Sequence, residues 1–80
     1  MNDAELVERI NELVEEEHRL ERAHVGEGLG EDDTARMRSL EVALDQCWDL
    51  LRQRRARRDA GQDPDDAAVR PPQEVENYQQ

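Results

Sequence analysis

The sequence predicts an all-α fold: an antiparallel, coiled-coil-like two-helix hairpin, able to dimerise to a four-helix bundle and followed by a partly ordered C-terminal tail. Three observations predict it. Two stretches carry apolar residues at alternating steps of three and four, which places them on one face of a helix. Between them lies VGEGLGEDD, with three glycines and no such periodicity. The chain has 80 residues, 35% of them apolar, with one Trp, one Tyr and no Phe, so it can build only one small core.

The first helix is expected over residues 3–24. Asn2 and Glu5 fit a capping box, and the early acids suit the positive end of the helix dipole. Its seam runs Leu6, Ile10, Leu13, Glu17, Leu20, His24, with Val7 and Val14 widening one side. Residues 25–31 form the glycine-rich loop, which offers Asp32 or Asp33 as the cap of the next helix.

The second helix is expected over residues 32–60. Its seam runs Met37, Leu40, Leu44, Cys47, Leu51, Arg54, flanked by Ala43, Trp48 and Leu50. Folding about the loop pairs residues whose numbers add to about 57. Leu20 then meets Met37, Glu17 meets Leu40, Leu13 meets Leu44, Ile10 meets Cys47, and Leu6 meets Leu51. Gly61 supplies the stop, and the arginines of RRARR fall in the last turns, where the dipole favours cations.

Residues 1–61 thus make a hairpin and residues 62–80 an acidic, proline-containing tail. Asp63 before Pro64 can cap a short turn running to Val69, and Pro72 can open another running to Tyr78. Val69, Val75 and Tyr78 are the tail's candidates for docking; the alternative is a disordered tail that acts as a linear interaction motif. A bare hairpin buries little, so either the tail, a second hairpin or a partner protein is expected to cover its open side.

Charged residues make up 40% of the chain and the net charge is −10. The charge is uneven: residues 1–35 carry −9, residues 36–58 carry +4 and residues 59–80 carry −5. Such a chain is repelled by polyanions overall and is suited to electrostatic self-association. Every basic residue is arginine, so lysine chemistry is excluded. A single cysteine, no apolar run of membrane-spanning length and an opening MNDAELVERINEL without a basic, then apolar, leader make a cytoplasmic protein the expectation.

Taken together, RINELVEEEHRL, the acidic glycine loop, SLEVALDQCWDLLRQRRARRDAG and the closing DPDDAAVRP and VENY resemble a family of roughly 80-residue actinobacterial proteins classed as a domain of unknown function. LDQCWDLLRQRRARR is the most specific piece. The resemblance implies a small helical bacterial protein and carries over no activity, cofactor or catalytic residue.

Several side chains could carry chemistry. Glu15 and His18 have the Glu-x-x-His spacing of di-iron bundles, but both fall opposite the seam among Glu8, Asn11, Glu12, Arg19 and Arg22. A solvated face explains them better than a metal. Glu17 intrudes on the seam, where an unpaired carboxylate is costly. Arg36, Arg38 or an arginine from a second hairpin is its expected partner, and such polar seam residues fix register and oligomeric state. Arg54, Arg55, Arg57 and Arg58 could contact phosphates, yet Asp3, Glu5 and Glu8 lie at the same end and answer them. Cys47 and Trp48 read as core packing, with Trp48 opposite Val7 as a lid on the core or an interface anchor.

No Ser/His/Asp set, zinc spacing or phosphate-cradling loop is present, and no cofactor is expected. The sequence therefore points away from an enzyme and toward a protein-interaction module or accessory subunit acting through helix–helix association. Its expected partner is a second copy or another protein, with no membrane and with nucleic acid disfavoured. The candidate interaction residues are Glu17, Cys47, Trp48, Arg54, Arg55, Arg57, Arg58 and Tyr78. A nucleic-acid-associated regulator using the arginine-rich end, and a metal-binding bundle using Glu15 and His18, are the alternatives.

Overall fold

A computed structural model describes residues 1–23, 28 and 30–75. Two long helices, α1 (Asp3–Ala23) and α2 (Glu31–Asp59), pack against each other as an antiparallel hairpin about 50 Å long. A 3-10 turn (Pro64–Asp66) and a short helix α3 (Pro72–Val75) then lie on α2.

The capping box forms as the sequence predicts. The Asn2 backbone N–H donates to Glu5 Oε1 at 3.0 Å, and the Glu5 N–H donates to Asn2 Oδ1 at 2.8 Å. The start of α2 differs from expectation. Gly30 is its N-cap and no side chain caps it, so Glu31, Asp32 and Asp33 all sit inside the first turn. There their charges favour the positive end of the helix dipole. Of the expected loop, residues 25–27 and 29 lie outside the described residues, as does His24.

The far end of α2 closes in a Schellman motif. Gln62 N–H donates to the Arg57 carbonyl at 2.7 Å and Gly61 N–H to the Arg58 carbonyl at 3.1 Å. Gly61 adopts φ +74°, which an L side chain resists, so the glycine is what lets the chain reverse onto α2.

Leu6, Ile10, Leu50 and Leu51 form the buried cluster, with Val14, Leu44, Cys47 and Trp48 packed around it. Leu13 and Leu40 are also buried, toward the loop end. The tail contributes too: Ala67 packs on the cluster, and Val75 is fully buried. Val69, one of the expected docking residues, is instead 61% exposed. Arg70 next to it anchors the tail through α2, which leaves Val69 free to point outward. Tyr78 lies outside the described residues.

Candidate functional site

Polar side chains fix the tail to α2. Asp49 is fully buried although ionisable, and it sits in α2 beside core residues Leu50 and Leu51. Arg70 reaches it from the tail, donating through Nε to Asp49 Oδ2 at 2.9 Å and through a second guanidinium nitrogen to Oδ1. This is the two-pronged geometry for which guanidinium and carboxylate are matched. Gln53, one turn along α2, donates Nε2 to Asp49 Oδ2 and to the Ala68 carbonyl, each at 2.8 Å. Gln46, one turn back, donates Nε2 to the Arg70 carbonyl at 3.2 Å. Residues 46, 49 and 53 thus form a polar stripe on α2 that holds an extended backbone.

A second junction gathers at the end of the hairpin. Arg54 is buried and donates Nε to Asp3 Oδ1 at 2.6 Å, joining the amino terminus of α1 to α2. Its other arm donates to Asp65 Oδ1 at 2.9 Å and to the Pro64 carbonyl at 3.2 Å, joining the 3-10 turn. Asp63 caps that turn by accepting from the Asp65 N–H at 2.9 Å. Arg58 pairs with the other Asp3 oxygen. The Arg58 and Arg54 guanidiniums hold the Asp3 carboxyl at about 2, below its ordinary 3.8. The Asp3–Arg54 pair also fixes the register, since the two numbers add to 57.

These contacts show where the arginine-rich end spends its charge. Arg54 and Arg58 are engaged by acids, and Arg57 reaches Gln62 at 3.4 Å. Glu5, expected to answer an arginine, is used in the capping box instead. Arg55 is exposed and makes no ion pair among the described residues.

Glu17 is half-buried on the seam. Its expected partner Arg36 pairs with the adjacent Glu16 instead, and no ion pair to Glu17 forms among the described residues. Burial, with the nearby Glu21 and Glu41 carboxylates, pushes the Glu17 carboxyl above its ordinary range. Glu15 is exposed and lies 4.0 Å from Arg19, and His18 is exposed. Among the described residues no three metal-ligating side chains come together. Cys47 is a half-buried free thiol whose pKa burial raises, so it is not poised as a nucleophile. Trp48 is half-buried against the core cluster, while Val7 remains 46% exposed.

Sequence reasoning missed Asp49 and Arg70. The available signal was the spacing of Gln46, Asp49 and Gln53, a second helical stripe about a third of a turn or more away from the apolar seam.

Open apolar surface runs beside these contacts. Ala35, Ser39, Val42, Ala43 and Pro72 line a shallow groove of about 500 Å³ on α2. A smaller one of about 220 Å³ lies between Met1, Leu6, Cys47 and Val69. No helix among the described residues is long and apolar enough to cross a membrane.

Fold and side chains together define a small all-α protein: a helical hairpin with its tail bound along α2. The chain belongs to the family described as "Protein of unknown function (DUF2630)", which matches residues 2–80. It is similar to the uncharacterised proteins Rv0898c of Mycobacterium tuberculosis and Mb0922c of Mycobacterium bovis. Each is 47% identical over 77 residues, covering 95% of this chain and 88% of the relative. No solved structure matches the chain. The family resemblance carried by the sequence is thereby met, and its bacterial character with it.

Proposed function

We propose that this protein is a non-catalytic, cytoplasmic interaction module that works by helix–helix association, with a second copy as its first partner. The observation that carries the reading is the apolar surface left open along one side of the hairpin, which the tail does not cover. Val7 remains exposed, and Val14 and Trp48 are only partly covered, after the tail has docked. Burying such surface against another helix is the main favourable term available to so small a chain. The half-buried carboxylate at Glu17, which forms no ion pair among the described residues, supports an assembled state that supplies a cation.

Mass measured in solution over a dilution series tests the reading. A two-chain species should appear as concentration rises, with a melting temperature that rises alongside it. A chain that stays single at millimolar concentration, and melts at the same temperature throughout, would overturn it.

A further inference from the structure

One flank of the hairpin carries an apolar centre between a basic and an acidic end. On α2, Glu41, Trp48 and Arg55 recur at seven-residue steps and so share one edge beside the seam. On α1, Val7, Val14 and Glu21 occupy the equivalent edge. In an antiparallel hairpin these two edges border the same side. Along that side the order is basic at the terminal end, apolar in the middle and acidic at the loop end. Val7 is 46% exposed, and Val14 and Trp48 are only partly covered while packing on the core. At the two ends, Arg55, Glu41 and Glu21 are exposed and form no ion pair among the described residues.

We infer that a second copy docks antiparallel on this flank, with Trp48 beside Trp48 near a two-fold axis and Arg55 of each chain facing Glu41 of the other. The inference rests on the helix–helix association proposed above and specifies its surface. Residues 41 and 55 each lie seven positions from residue 48, about 10 Å along the helix on either side. A two-fold axis through Trp48 therefore superposes the acidic end of one flank on the basic end of the other. The interface is isologous, so each contact is made twice and the assembly closes at two chains. Glu17, level with Leu40 in the hairpin register, falls beside the same incoming arginine. That placement supplies a cation to a carboxylate that forms no ion pair among the described residues. The middle of the flank gives the apolar, aromatic centre that interfaces favour, and the charges at the ends fix the antiparallel sense.

The test uses charge reversal in the full chain. Arg55→Glu and Glu41→Arg each place like charges opposite one another at both symmetry-related contacts. Sedimentation equilibrium from low micromolar to millimolar concentration should show the dissociation constant rising by about tenfold or more in each variant. Mixing the two variants in equal amounts restores opposite charges at both contacts and should recover the two-chain mass. The helical circular-dichroism signal should be unchanged, since both positions are solvent-facing. Variants that pair as tightly as the parent chain, or a mixture that gains nothing, would overturn this surface while leaving association standing. A parent chain that remains single throughout would overturn both.

Discussion

Arg70 closes its guanidinium over Asp49, a carboxylate with no solvent exposure, from a position 21 residues further along the chain. The pair converts the tail from an appendage into the third layer of the fold. A buried charge pair is a weak net source of stability, because both ions lose water. Its value lies in specificity: a buried Asp49 tolerates one arrangement of the tail and penalises the others.

Removing one partner should therefore cost more than removing both. Arg70→Ala leaves the Asp49 carboxylate inside the fold without its guanidinium, Gln53 still donating to it from α2, and a loss of about 2–3 kcal/mol is expected in urea denaturation. Replacing Asp49 and Arg70 together by leucine should recover most of that loss. Equal destabilisation by the single and double changes would show that the pair does not latch the tail.

Arg54 is expected to resist even a conservative exchange. Its guanidinium serves Asp3 on one side and Asp65 with the Pro64 carbonyl on the other. A lysine ammonium cannot span both directions, so Arg54→Lys should lower the melting temperature by several degrees. The same junction gives an acid limb to the stability curve. Asp3 titrates near 2 when folded and near 3.8 in its ordinary state, so its contribution is complete above 3.8 and is lost as pH falls toward 2. Asp3→Asn should flatten that limb in thermal melts taken between pH 5 and pH 2, and a parent-like limb in the variant would exclude Asp3 as its source.

Gly61 offers a cleaner backbone test. It holds φ at +74°, and a Cβ there would meet nothing within 4 Å. Gly61→Ala therefore adds no clash, and the expected loss of about 1 kcal/mol is the cost of the left-handed conformation alone. A neutral result in urea denaturation would mean that the turn relaxes to negative φ.

What the sequence made legible is what periodicity encodes. Seam residues Leu6, Ile10, Leu13, Leu40 and Leu51 are buried because the three- and four-residue steps oblige them to share a face. The Asn2–Glu5 cap and the Gly61 stop were equally visible, since each depends on residues within one turn. The contacts across long sequence separation were not. Nothing local distinguishes Arg70 from a surface arginine, or Asp49 from a solvated acid, until the tail is placed across α2. Arg36, one of the cations expected at Glu17 beside Arg38 and an arginine of a second hairpin, pairs with Glu16, which is adjacent in sequence but points about 100° away, a choice that helical spacing alone does not make. Cys47 and Trp48 were placed beside the core by the same steps that placed the leucines, and both pack on it.

Glu17 is the position where local pattern and local chemistry disagree, and the disagreement is measurable. It occupies a seam site between Leu13 and Leu20 but is charged, and burial together with Glu21 and Glu41 raises its pKa from 4.5. A carboxyl whose folded pKa is raised opposes folding when ionised, so its cost is full at neutral pH. That cost fades as pH falls through the raised value and is gone below the ordinary one. At concentrations too low for two chains to pair, Glu17→Gln should stabilise the fold at pH 7, and the gain should vanish near pH 4. Glu17→Leu should stabilise further, by about 1 kcal/mol, because it extends the apolar seam. If the same leucine weakens association in the dilution series while strengthening the single chain, the carboxylate at this site serves pairing at the expense of the monomer. A loss of stability in the isolated chain would instead mean that Glu17 is already satisfied within its own hairpin.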